Sequence, residues 1–186
     1  MVPVDWSQNS QQDMERFLCW YLKGFNRQSG DIYSLLHPHF LRCSYEEKSL
    51  TVFFNVKDWA LNPEGTMHGG LISTVFDGTF GSLCHYWGKQ RYITTVNLST
   101  TFLKPVRAGD ALIVTARATS IGRTLMSMTA EGRIQDGAVL AATSYTTFMF
   151  LDKVFEDGDW GNRELDRPLD PPSFSPADTG RQESLE

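Results

Sequence analysis

Asn62-Pro63-Glu64-Gly65-Thr66-Met67-His68-Gly69-Gly70, followed by Asp77, sets a glycine-rich turn, a helix start and one carboxylate at a fixed spacing. A helix from about Gly70 to Trp87 has unpaired amide N–H groups in its first turn, where the helix dipole helps them polarise a carbonyl oxygen. Asp77 then lies two turns along. Aspartate has a poor helix propensity and a charge that is costly to bury, so its place in an otherwise apolar helix calls for a reason. The reason these residue types supply is catalysis.

On the projected helix, Gly70, Ser73, Gly81 and Cys84 share the face of Asp77, one and two turns away. All four are small, which leaves room for a substrate to approach the carboxylate; close packing against another element would also call for small residues. Acyl hydrolysis needs a polarised carbonyl and a nucleophile or base on its other side. The N–H groups around Gly69 and Gly70 supply the first and Asp77 the second, while Asn62 and the hydroxyl of Thr95 or Ser99 are candidates to orient water. A thioester suits such a site, because its carbonyl is weakly resonance-stabilised and thiolate leaves readily. Neither a GxSxG elbow nor an HExxH pair occurs.

The elements that must position these groups are legible as changes of period. Met14, Phe17, Leu18, Tyr21, Leu22 and Phe25 form one apolar stripe, which predicts a helix from about Ser10 to Asn26. A short turn near Ile32, Leu35 and Leu36 ends before Pro38. Arg42 to Tyr45, a polar Glu46-Glu47-Lys48 turn and Leu50 to Val56 read as a hairpin. The central helix carries Ile72, Val75, Phe76, Phe80, Leu83 and Trp87. Beyond it the period becomes two, with strands expected at Ile93 to Leu103, Ala111 to Ile121, Thr124 to Gln135 and Val139 to Leu151. Their connections are Pro105 to Asp110, Gly122-Arg123 and the hairpin dipeptide Asp136-Gly137. The expected architecture is α+β: a helix, a hairpin, one long central helix and four antiparallel strands in a meander that curls around it.

Bulk properties narrow the function classes. The chain has 186 residues, 41% hydrophobic and 21% charged, enough for one domain with a sizeable core. Its net charge of −5 is uneven: residues 1–151 hold 13 Lys+Arg against 12 Asp+Glu, and residues 152–186 hold 4 against 10. No concentrated cationic face for nucleic acid is evident, nor any apolar run near the ~20 residues of a membrane span. With no leader or address in the sequence, the cytoplasm is the expected location. Cys19, Cys43 and Cys84 are scattered and read as reduced structural thiols. His37 and His39 flank a proline without a third ligand, so no metal is expected. Trp20, Trp59, Trp87 and Trp160 are scattered and read as packing residues.

Asn62-x-x-Gly65-x-x-His68-Gly69-Gly70 with Asp77, Thr94-Thr95-Val96-Asn97-Leu98, and Phe102-Leu103-Lys104-Pro105-Val106-Arg107-Ala108-Gly109-Asp110 together resemble the PaaI-type hotdog-fold acyl-CoA thioesterases. The resemblance covers roughly Leu50 to Phe150. It implies a hotdog fold, an antiparallel sheet wrapped around one long helix, and a homodimer or dimer of dimers with active sites between protomers. By motif position it implies Asp77 as nucleophile or general base, the Gly69 amide as carbonyl polariser, Asn62 and Thr95 as holders of thioester or water, and His68 as a residue of structural or direct chemical role. It further implies that Gly122-Arg123-Thr124 lies near the nucleotide of coenzyme A, Arg123 pairing with phosphate; Lys104 and Arg107 are weaker candidates for the same task. Acyl-CoA is then the substrate, and no separate cofactor is expected. Residues 1–39 read as an N-terminal helical extension, 40–151 as the hotdog domain and 152–186 as an acidic, proline-containing tail, docked at first and then disordered. Two other functions fit the same fold: hydration or dehydration of an enoyl or hydroxyacyl thioester, which pairs a His with a carboxylate, and non-catalytic acyl-CoA binding.

Overall fold

The structure, a computed structural model, describes residues 9–25, 31–89 and 91–154. Ser10 opens the first helix, α1 (Gln11–Phe25): its hydroxyl accepts from the Asp13 amide at 3.2 Å and donates to the Asp13 carboxylate at 2.6 Å. This reciprocal cap fixes the helix start. Met14, Phe17, Leu18 and Leu22 are buried, and Phe17 packs against Tyr21 and Tyr86. A short helix, α2 (Ile32–Leu36), is capped by Asp31 and ended by His37 in the left-handed region (φ 50°). Strands β1 (His39–Ser44) and β2 (Ser49–Asn55) form the expected hairpin.

The central helix, α3 (Gly69–Gly88), runs one residue beyond the expected span at each end. Phe76, Phe80 and Leu83 are fully buried on it. Each such side chain contributes roughly 1.5–3 kcal/mol through burial. Its polar residues are reconciled with the apolar setting by back-bonding: Thr74 donates to the Gly70 carbonyl, Thr79 to Val75 and Ser82 to Gly78, all at 2.7–2.8 Å. Among the described residues no helix is long and apolar enough to cross a membrane.

Four strands follow: β3 (Arg91–Phe102), β4 (Ala111–Ile121), β5 (Leu125–Ile134) and β6 (Val139–Val154). All pairings are antiparallel and the sheet order is β1-β2-β4-β5-β6-β3. The inner face presents Val52, Phe54, Leu112, Val114, Met126, Met128, Phe148 and Phe150 to α3. The four-strand meander is therefore corrected: only β4, β5 and β6 follow one another, while β3 lies at the far edge beside β6. The physical reason is the connection from Leu103 to Asp110, which is too long for a hairpin and long enough to pass three strand spacings of about 4.8 Å. It is tied down on the way. The Leu103 and Lys104 amides donate to the Ala141 carbonyl, Met67 donates to Val106, and Val56 donates to Asp110. The acidic tail expected from residue 152 begins inside β6, and past Val154 it lies outside the described residues.

Because α3 is enclosed by the sheet, truncating its core should be costly. Phe80→Ala is expected to lower stability by about 3–5 kcal/mol, read from the midpoint of a urea unfolding curve with an unchanged slope.

Candidate active site

Asp77 sits in the middle of α3, half-buried, facing β3. Its Oδ1 accepts from the Thr95 hydroxyl at 2.9 Å. Burial raises its pKa above the ordinary carboxylate value, and the Thr95 hydrogen bond opposes that rise. Thr95 reaches Asp77 because β3 is bulged: the register with β6 slips between Thr95 and Asn97. Before the slip, Ile93 and Thr95 oppose Phe150 and Phe148; after it, Leu98 and Thr100 oppose Thr146 and Ser144. The bulge lets odd positions face α3 on one side and even positions on the other. Thr100 thus meets Ser73, whose hydroxyl donates to it at 3.2 Å. Ser99 goes the opposite way and lines a cavity of about 620 Å³ on the outer face of the sheet, with Arg42 and Arg117. Of the two hydroxyls considered beside Asp77, Thr95 is the one that touches it.

The small residues around Asp77 have separate reasons. Ser73 bonds Thr100, and at Gly70 a Cβ would lie 3.1 Å from His68 Nδ1. At Gly81 a Cβ would meet only Phe148, at an ordinary 3.9 Å.

The first turn of α3 is built by the preceding loop. The Asn62 Oδ1 accepts from the Thr66 amide at 3.0 Å and the Thr66 hydroxyl at 3.2 Å, while the Asn62 amide donates to the Thr66 carbonyl. Gly65, at φ 74°, closes this turn. His68 is the N-cap: its Nδ1 accepts from the Gly70 amide at 3.0 Å. That bond requires Nδ1 to be unprotonated. The Gly70 N–H is thereby committed, and the Leu71 and Ile72 amides both donate to the His68 carbonyl. Gly69 keeps the uncommitted N–H of this turn among the described residues. It lies against the Phe102 ring, 3.2 Å from the Cβ a larger residue would carry, at the edge of a cleft of about 400 Å³ shared with Asn62, Ile72 and Lys104.

Asn62, His68 and Gly69 are therefore together, as are Asp77 and Thr95, but the two groups are apart. Asp77 lies eight positions along the helix from Gly69, about 12 Å of rise. Gly122-Arg123-Thr124 lies at the other end of the sheet from Gly69. The Gly122 amide donates to the Leu125 carbonyl, and Arg91 Nη1 holds the Arg123 carbonyl at 2.8 Å. Arg91 itself stacks over Phe150, 4.3 Å from the ring centroid. Lys104 lines the Gly69 cleft, whereas the Arg107 amide serves a loop bond to Asp110. His37 and His39 meet edge to face and His39 stacks on Phe53; among the described residues no set of three metal-ligating side chains assembles.

One neighbour of Asp77 was not read from the sequence. Tyr33, on α2, packs onto Gly78, whose Cβ, if present, would lie 2.5 Å from the Tyr33 ring. The available signal was the glycine itself, beside Asp77 in mid-helix.

A long helix enclosed by an antiparallel sheet defines the hotdog fold class. The Thioesterase superfamily profile matches residues 64–141. A putative esterase of Pseudomonas aeruginosa is 30% identical over 122 residues, covering 65% of this chain and 89% of that protein. An uncharacterized acyl-CoA thioester hydrolase of Zymomonas mobilis is 31% identical over 96 residues, 50% of this chain and 64% of that protein. The structure of the E. coli PaaI protein from the phenylacetic acid degradation operon superposes with a TM-score of 0.63 at 19% identity, covering 75% of this chain and 97% of that one. The chain belongs to the thioesterase superfamily and is by class a thioester hydrolase.

A carboxylate whose folded pKa is raised disfavours folding once it is ionised. Asp77→Asn keeps the shape and an acceptor for Thr95, so it should raise Tm at neutral pH. The gain should shrink as pH falls through the folded pKa and vanish near the unfolded value. Thermal unfolding of both proteins across a pH series checks this.

Proposed function

We propose that the protein hydrolyses an acyl-CoA thioester to a free carboxylic acid and CoA. The observation that carries the reading is a half-buried aspartate with a raised pKa, held by a threonine hydroxyl, on a helix whose first turn keeps an amide uncommitted. The relative in Zymomonas mobilis supports acyl-CoA as the substrate class.

In this reading the Gly69 N–H donates to the carbonyl oxygen of the thioester and stabilises it as charge develops. Asp77 acts as nucleophile or general base. As a base it takes a proton from water whose oxygen attacks the carbonyl carbon, and Thr95 holds the carboxylate in place. Collapse of the tetrahedral intermediate breaks the C–S bond and releases the thiolate. Asn62 shapes the loop that presents Gly69.

A reacting carbonyl must lie within about 3–3.5 Å of the groups that act on it, and a 12 Å separation along one helix forbids that within one chain. The reading therefore places Gly69 of one protomer opposite Asp77 of its partner, in a homodimer or a dimer of dimers. Exposed Val96, Phe102 and Leu103 along and just past the free edge of β3 support this edge as the meeting surface. Arg123, steadied through Arg91, is the candidate partner for a CoA phosphate. The engagement of His68 Nδ1 as a helix cap, accepting from the Gly70 amide, disfavours the His-carboxylate pair of a hydratase.

The test is thiol release from short, medium, long and aromatic acyl-CoAs. Turnover that falls about 100-fold or more in Asp77→Asn is the expected result; turnover that survives the substitution overturns the assignment of Asp77. The pH profile adds a second check. Activity needs ionised Asp77, so the acidic limb of kcat/KM should lie above the ordinary carboxylate range. Thr95→Val removes the bond that favours the carboxylate and should move that limb to higher pH.

A further inference from the structure

α3 has a second strip of small residues, Thr74, Gly78 and Ser82, at i, i+4 and i+8, and it faces the N-terminal segment rather than β3. Tyr33 covers it. A Cβ on Gly78 would stand 2.5 Å from Tyr33 Cε1 and 3.3 Å from Cδ1, so the ring occupies the space that any side chain at 78 would take. Leu22, Pro38, Val52 and Phe54 complete the enclosure around a remaining cavity of about 10 Å³. That is no more than one water molecule needs, and the lining is apolar. The ring is firmly held. Asp31 caps α2 through the Ser34 amide at 2.7 Å, Leu36 is buried, and the His37 amide returns to the Tyr33 carbonyl at 2.9 Å.

An acyl chain whose carbonyl is attacked at Asp77 needs an apolar space leading away from that carboxylate. Beside Asp77, between α3 and β2, such a space exists and Tyr33 fills it. Resting on the thioesterase reading, we propose that Tyr33 is a specificity-determining residue: its ring stops the acyl pocket next to Asp77 and restricts the enzyme to short acyl groups. Burial and the neighbouring carboxylates of Asp77 and Asp31 push the Tyr33 hydroxyl up to about 12, which keeps the stopper neutral throughout the working range and sets it within the field of Asp77. Tyr33 lies outside residues 64–141, so the stopper comes from the N-terminal extension rather than from the matched thioesterase core.

The experiment is kcat/KM across straight-chain acyl-CoAs from short to long, for wild type, Tyr33→Ala, Tyr33→Leu and Tyr33→Phe, with circular dichroism to verify folding. Wild type should prefer short chains. Removing the ring should raise the long-to-short ratio of kcat/KM about tenfold or more, since one methylene in an apolar pocket is worth about 10–200-fold. Tyr33→Leu should move in the same direction by less, and Tyr33→Phe, which keeps the ring, should retain the wild-type ranking. A wild-type optimum at long chains overturns the proposal without any variant, as does an unchanged ranking in a folded Tyr33→Ala or Tyr33→Leu protein. In both cases the hydrolase reading stands. No thiol release from any acyl-CoA by wild type overturns the hydrolase reading and this inference with it.

Discussion

The enclosure of α3 by the inner face of the sheet is the constraint on which the remaining structure depends. A helix enclosed on most of its surface must either be apolar or satisfy each polar group locally. Thr74, Thr79 and Ser82 do so by donating to carbonyls one turn back. A carboxylate has no such recourse, because it can only accept and the backbone amides of a mid-helix turn are already committed. Asp77 consequently depends on a donor from another element, and Thr95 is that donor. The bond is strong enough to oppose the cost of burial but not to cancel it, so the carboxyl remains readier to take a proton than an exposed one.

Supplying Thr95 imposes a further condition on the sheet. A regular β3 would present alternate residues to α3 along its whole length, and Thr95 and Thr100 cannot both point inward under strict alternation. The slip at Val96 resolves the conflict. It allows Thr95 to meet Asp77, Thr100 to meet Ser73, and Phe102 to back Gly69. The same extra residue leaves Val96 exposed at the sheet edge. One irregularity therefore aims the hydroxyl at the carboxylate and shapes the edge proposed to meet a second protomer.

Much of this was legible as period and punctuation. The 3.6-residue stripe located α3 to within one residue at each end, and the turn Asn62 to Gly70 marked its start, though of the two amides expected to be free the Gly70 one is taken by His68. Strand order was not legible, because alternation marks a strand without naming its neighbour; the length of the Leu103–Asp110 connection was the clue against a meander. The choice between Thr95 and Ser99 was closed to periodicity for a related reason. Four residues apart, they should share a face, and only the bulge separates them. Tyr33 was hidden because its partner is 45 positions away in the chain, and contact between distant segments leaves no periodic trace. His68 illustrates the converse. Its position just before the helix was visible, and its task of accepting from Gly70 follows from local geometry alone.

That capping bond has a consequence for the chemistry proposed here. An N-terminal turn offers several amides, and one that presented them all equally would hold an oxygen without defining its direction. In α3 the His68 imidazole takes Gly70, while the His68 carbonyl takes Leu71 and Ile72. Among the described residues only the Gly69 amide of this turn is left uncommitted, at the edge of a cleft that Phe102 also lines. Selection among the amides leaves one directed donor at a positive helix end, and a preorganised donor of that kind is what the proposed stabilisation of a developing oxyanion uses. On the proposed reading the histidine in this motif acts through the backbone it organises, and its own ring need never touch the substrate.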